Sequence, residues 1–209
     1  MQHKGILMVM SGFSGAGKGT IVKKMLEKYP DQYKLSISAT TRKPREGETH
    51  GKEYFFLTEE EFISRMKDDG FVEWTEYVGN YYGTPKAYIE EEIAKGSNII
   101  LEIEMQGALE VRKKFKDALL LFVTPPDYIT LKERLVNRGT EDMETIKKRL
   151  NRAVKETGYI EQYNNVIVNN DVEEAADEIH NIVMNEMKLR HKHEEFIANF
   201  IEQYNNDNE

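Results

Sequence analysis

The feature that most constrains this chain is a glycine-rich turn between an apolar run and an amphipathic one. Ile6 to Met10 is continuously apolar, Gly12-Phe13-Ser14-Gly15-Ala16-Gly17-Lys18-Gly19-Thr20 follows at once, and Ile21, Val22, Met25 and Leu26 then recur with the spacing of one helix face. In the order strand, glycine loop, helix, successive backbone N–H groups and the positive end of the helix converge on one point. Phosphate oxygens bind at such a point, and Lys18 adds a point charge to it. All nine residues from Gly12 to Thr20 are therefore candidates for holding a triphosphate. The pattern departs from the usual phosphate loop at Gly19, where a Ser or Thr normally offers its hydroxyl to Mg²⁺; here the hydroxyl comes one residue later, at Thr20. The plainer alternative, a turn that merely joins strand to helix, is disfavoured by those flanks.

The rest of the chain supports an α/β reading. Asn98 to Ile103 precedes an amphipathic Ala108 to Phe115, Leu119 to Val123 precedes Ile129 to Arg138, and Val166 to Val168 precedes a long helical pattern from Val172 to Met187. Apolar strands without polar alternation are what a parallel sheet covered by helices on both faces requires. Residues 37–86 break this rhythm with Gly, Pro, aromatic and charged residues, and read as an inserted, mainly β unit. Phe71 to Thr84 is hairpin-like, with Gly79-Asn80 expected to open a type II′ turn. At 209 residues the chain suits one domain.

Several classes are excluded. The longest purely apolar run, Ala118 to Val123, is far below the roughly 20 residues that span a bilayer, so no membrane helix is expected. The first residues lack the pattern of a secretory signal, which leads us to expect a cytoplasmic protein. With no cysteine there is no thiolate site and no disulfide. A net charge of −8 argues against a general nucleic-acid binder, so any anion site must be local.

A second local anion site is suggested by Arg42-Lys43-Pro44-Arg45, whose two guanidinium forks suit a phosphate monoester, with Tyr54 as a further donor. Gly12 to Thr20, Ser38 to Arg45 with Gly51-Lys52-Glu53-Tyr54, Phe71-Val72-Glu73-Trp74, Gly79 to Thr84, Leu101 to Gly107, Arg138 to Glu141 and Val166 to Asn170 together resemble guanylate kinase, in family order. The resemblance implies direct transfer of the γ-phosphoryl group of MgATP to GMP, or dGMP, within purine nucleotide metabolism and GMP recycling. It also implies a core of about residues 1–36 and 87–209, a monophosphate-binding arm of about 37–86 and a lid of about 137–152. It places the GMP phosphate on Arg42, Arg45, Tyr54 and Tyr82, and the guanine on Ser38, Glu73 and Thr84.

Glu73 also makes sense independently, because guanine presents two adjacent N–H donors that a carboxylate can accept, whereas adenine offers an acceptor there. Its alternative is an ordinary outward-facing strand residue. Two positions depart from the family pattern, which carries aspartates where this chain has Glu102, placed by resemblance near Mg²⁺ and phosphates, and Glu104, placed near the guanine. Direct metal ligands stay open, with Glu102 acting through water as one option. Arg138 and Arg149, with Arg134 as a third candidate, would close a positively charged lid, and Lys18, Arg42, Arg138 and Arg149 would stabilise the transferring group.

Two rival functions have discriminating features. A non-catalytic guanylate-kinase-like interaction module would lose the phosphate loop, which is intact here. A kinase of phosphorylated sugars would need no Ser38, Glu73 and Thr84. Near the end of the chain, His191-Lys192-His193 reads as solvated surface, Phe196, Ile197, Phe200 and Ile201 as a stripe docked on the core, with a dimer contact as the sharper alternative, and Asn205 to Glu209 as a frayed tail. Oligomeric state is not readable.

Overall fold

The computed structural model describes residues 4–137, 139 and 142–207, so Arg138 lies outside the described residues. The elements run β1 (Leu7–Gly12), α1 (Lys18–Lys28), β2 (Tyr33–Leu35), β3 (Ala39–Thr40), β4 (Phe55–Phe56), α2 (Glu59–Lys67), β5 (Phe71–Tyr77), β6 (Asn80–Pro85), α3 (Lys86–Ala94), β7 (Asn98–Glu102), α4 (Met105–Lys114), β8 (Leu119–Thr124), α5 (Tyr128–Asn137), α6 (Met143–Glu156), a 3₁₀ turn (Thr157–Gln162), β9 (Asn165–Val168) and α7 (Val172–Asp207).

A five-stranded parallel sheet in the order β2-β7-β1-β8-β9 forms the centre, as the apolar runs predict. The first five residues of both β1 and β8 are buried, because helices cover the sheet on both sides. The chain leaves β1 toward β2 on one side and later crosses to β8 on the other, so strand order reverses around β1. Ligands of open α/β sheets bind in the crevice beyond the carboxyl ends of the strands at such a reversal. Met10 pairs with Glu102, and Gly12 with Val123, which brings the ends of β7 and β8 beside the glycine loop.

A second sheet, β4-β3-β6-β5, occupies the segment expected to be mainly β, but α2 interrupts it. That helix is held by a reciprocal cap: Thr58 accepts from Glu61 N–H while the Glu61 carboxylate accepts from Thr58 N–H. Its Phe62 stacks on Phe71 at 4.2 Å and on Tyr81 at 5.4 Å, so this sheet has a small core separate from the main one. The hairpin turn differs from expectation. Tyr77 pairs with Asn80, so the central residues are Val78 and Gly79, both at positive φ (49° and 69°), the pattern of type I′ rather than type II′. Strand twist favours either primed turn, and the register selects the one that holds β-branched Val78 in a left-handed conformation.

The end of the chain corrects two further expectations. Helix α7 runs 36 residues to Asp207, so Asn205 to Asp207 are helical rather than frayed. Phe196, Ile197, Phe200 and Ile201 are exposed instead of docked on the core. Helical continuity carries them past the last strand and beyond the surface they would need. No helix among the described residues is long and apolar enough to cross a membrane.

Candidate functional site

The glycine loop takes its shape from positions where only glycine is at ease. Gly12, Gly15 and Gly17 have φ of 143°, 90° and 90°, and a Cβ at Gly12 would lie 2.0 Å from the Val123 carbonyl oxygen. Phe13 turns its ring into the core, edge-on to Phe122 at 5.0 Å, leaving its backbone as its part of the loop. The carbonyl of buried Ala16 accepts from Asn169 Nδ2 at 2.7 Å. Lys18 folds over the loop and donates to the carbonyls of Gly12 (3.0 Å) and Phe13 (3.2 Å). Burial lowers its ammonium pKa, against the opposing pull of Glu102, Glu104 and Glu156. A cleft of about 740 Å³ opens here, walled by Ser14, Gly15, Gly17, Lys18, Gly19 and Thr20 on one side and by Glu102, Glu104 and Arg134 on the other.

Glu102 sits at the mouth of this cleft, and burial raises its carboxyl pKa while the Lys18 charge opposes that. A Cβ at Gly19 would lie 3.6 Å from Glu102 Oε2, so the space vacated by the usual hydroxyl residue is next to the longer carboxylate. No group of three or more His, Cys, Asp or Glu able to cage a metal exists among the described residues. An oxygen-donor carboxylate beside a phosphate loop nonetheless fits a hydrated Mg²⁺, which keeps several waters and needs only one or two protein ligands.

On the second sheet, Arg42 Nη2 donates to Glu48 Oε1 at 2.8 Å and Nη1 to the Lys43 carbonyl at 2.8 Å. Its guanidinium lies over the Tyr54 ring at 5.3 Å, and Tyr54 meets Tyr82 edge-on at 6.1 Å. Hydrogen bonds from Arg42 and from Arg45 N–H hold the Glu48 carboxyl below its ordinary range. Arg42, Tyr54 and Tyr82 are thus gathered as expected. Arg45 joins the group through its backbone and through the charge it presents to Glu48, while its side chain is in solvent. Glu48 is a residue that sequence reasoning missed: a carboxylate on the Arg42 fork prepares it to hold an oxyanion of similar shape.

The third cluster contains Ser38, Glu73, Tyr82 and Glu104 around a cleft of about 690 Å³. The register of β5 against β6 slips between Phe71 and Trp74, and Glu73 lies at that slip. A bulge re-aims a side chain, so Val72 is fully buried, Trp74 half exposed, and Glu73 faces the cleft. Thr84 Oγ1 donates to Glu73 Oε1 at 2.7 Å, while burial pushes the Glu73 carboxyl pKa up more than Thr84 lowers it. Gly107 leaves room for it: a Cβ there would be 3.4 Å from Glu73 Oε2.

Glu104 lines both clefts, and the same carboxylate is paired with Arg152 of α6. Arg152 also bonds Glu156 at 2.8 Å. It was not singled out from the sequence, although residues 132–155 show an excess of eight Lys and Arg over four Asp and Glu. Arg149 reaches the loop itself, donating to Ser14 Oγ. Arg134 donates to the Asn169 carbonyl at 2.9 Å, and together with the Asn169–Ala16 bond it anchors the loop to the end of β9.

Residues 4–186 match the family model described as guanylate kinase. Among solved structures, a guanylate kinase from Anaplasma phagocytophilum is 33% identical, with a TM-score of 0.65 over 89% of this chain and 88% of its own. A shikimate kinase from Bacteroides thetaiotaomicron, at 14% identity and a TM-score of 0.49 over 86% of this chain and 98% of its own, is too distant to bear on the argument.

Proposed function

The chain belongs to the guanylate kinase family, and on that premise we propose that it is an ATP:GMP phosphotransferase (EC 2.7.4.8) whose glycine loop takes ATP and whose second sheet takes GMP. The observation that carries the reading is the position of Glu104, which walls both the loop cleft and the Glu73 cleft, so that ligands filling the two would meet end to end. Phosphoryl transfer depends on positioning and on charge stabilisation, and needs no nucleophilic side chain from the protein.

In this reading Lys18 and the loop N–H groups bind the β- and γ-phosphates, and Arg149, already on Ser14, supplies a second cation from α6. Arg42 exchanges Glu48 for the GMP phosphate, with Arg45, Tyr54 and Tyr82 around it. Glu73 accepts from the guanine N1–H and N2–H₂, beside Ser38 and Thr84. Residues 37–86 and 137–152 act as arm and lid that close over both substrates and exclude water. Mg²⁺ would be held by phosphates, water and Glu102, and would neutralise charge on the phosphates. Arg138 completes the lid by family pattern alone.

Arg152 tests the departure at Glu104. The pair is solvent-exposed, with 51% and 73% of the two side chains accessible, so it is worth at most about 1 kcal/mol of stability. Arg152→Ala is expected to raise KM for GMP several-fold by releasing the longer carboxylate at the junction of the clefts, and to lower the melting temperature through its other bond, because it strips buried Glu156 of its ion-pair partner. A KM that stays constant would reduce the pair to surface charge.

The overall test is ADP formation from MgATP with GMP, AMP, CMP or UMP, each with and without EDTA. Turnover confined to GMP and abolished by EDTA is expected. Equal turnover with AMP would remove the guanine-reading role of Glu73. Binding of GMP with no turnover would favour the interaction module.

A further inference from the structure

Glu73 owes its direction to a bulge, and a bulge at a sheet edge has little in its own ladder to hold it. Phe71 pairs with Pro85 and Trp74 with Gly83, so Val72 and Glu73 together stand opposite the single residue Thr84. The extra residue locally disrupts the ladder. Strand β5 also ends the sheet order β4-β3-β6-β5, and its outer side meets no strand among the described residues. A slip of one residue would send the following side chains to the opposite face. Whatever fixes the start of β5 therefore decides whether Glu73 meets the cleft.

The start of β5 is fixed from the core. Helix α4 packs against this strand, with Gly107 near its beginning beside the Glu73 carboxylate and Lys114 as its last residue. Lys86 N–H donates to the Gly70 carbonyl across the ladder at 2.9 Å, so the next carbonyl, that of Phe71, turns away from β6 to the open edge. Lys114 Nζ donates to it at 2.7 Å and also to Asp69 Oδ1. Lys86, the first residue of α3, donates to Asp69 Oδ2 at 3.1 Å. Asp69 itself has a φ of 52°, and the Gly70 N–H that follows bonds the Arg65 carbonyl at 2.7 Å, which makes the turn into β5 tight. The Asp69 side chain is 61% accessible, so these ion pairs add little to stability. Their effect is on position.

We propose that Lys114 is a positioning residue for base recognition, holding the edge of β5 ahead of the bulge and so aiming Glu73 at the guanine. Lys114 lines neither the loop cleft nor the Glu73 cleft, and acts on the base only through the strand. This role rests on the base reading proposed above for Glu73.

The test compares GMP with inosine monophosphate, which keeps the N1–H and lacks the 2-amino group. In the natural chain kcat/KM should favour GMP by roughly 10- to 100-fold, the worth of one hydrogen bond to a charged group. Lys114→Met keeps the stem and removes the donors. It is expected to raise KM for GMP several-fold and to shrink the preference over inosine monophosphate several-fold, because a two-point contact is sensitive to small misplacement. KM for ATP and the far-UV circular dichroism should hold, and Lys114→Arg should restore the preference. A preference that keeps its natural value in Lys114→Met, a loss that Lys114→Arg does not reverse, or an equal rise in KM for ATP would each overturn the role of Lys114 while leaving Glu73 as the reader. A natural chain that uses the two monophosphates equally would overturn the reading of Glu73 itself.

Discussion

Lys18→Ala is expected to cut phosphoryl transfer by about 100- to 1000-fold, the scale on which loss of one preorganised charge-stabilising donor is felt. The reason is geometric. The ammonium is held within 3.2 Å of two loop carbonyls, in surroundings that already depress its pKa by burial. A cation that is partly stripped of water and fixed in place acts strongly on charge that develops beside it, because little solvent has to reorganise. No other described cation bonds to those carbonyls. The GMP side should be spared, since Lys18 is not among the residues around the Glu73 cleft. Trp74, the only tryptophan of the chain, lines that cleft and offers a fluorescence readout of GMP binding separate from turnover. Loss of turnover with GMP affinity kept supports the assignment; undiminished turnover removes Lys18 from the reaction.

The loop was legible in the sequence because everything it needs is local: an apolar strand, glycines at the positions of positive φ and a helix, all within Leu7 to Lys28. The parallel sheet was legible for a related reason, since strands buried on both faces lose their polar alternation. Other features depend on pairing across the chain and leave no local mark. Glu73 faces the cleft because the β5–β6 register slips beside it, and alternation of Val72 and Trp74 would equally have allowed it to face solvent. The Val78-Gly79 turn follows from the pairing of Tyr77 with Asn80 rather than from the Gly-Asn dipeptide. Arg152 matters through Glu104, 48 positions away, and Glu48 matters through a bond to Arg42 that spacing does not announce. The stripe on α7 was visible as a helical period, but the same period describes a docked face and an exposed one. Only the path of the helix past the sheet tells them apart.

Glu73→Gln is expected to separate function from stability. In the folded protein, burial raises the Glu73 carboxyl pKa above its unfolded value, with Thr84 only partly opposing. The folded state therefore holds its proton to higher pH than the unfolded state, and this group's contribution to stability declines as pH rises through that window. Burial disfavours its charged form and only one described side chain donates to it, so neutral Gln, which can still accept from Thr84, should leave the melting temperature unchanged or raise it. Activity should move the other way. In the role proposed for it the carboxylate accepts from two guanine N–H groups, and an amide would put a donor where one acceptor stood, so kcat/KM for GMP should fall by about 100-fold, the scale of one charged hydrogen bond replaced by a donor–donor contact. KM for ATP should hold. In the natural protein the same carboxyl predicts that KM for GMP rises as pH falls into its raised titration range, because the protonated acid no longer accepts from both groups; Glu73→Gln should erase that acid limb. A variant that loses stability and activity together, with its pH profile intact, would make Glu73 a structural residue of the bulge instead of the reader of the base.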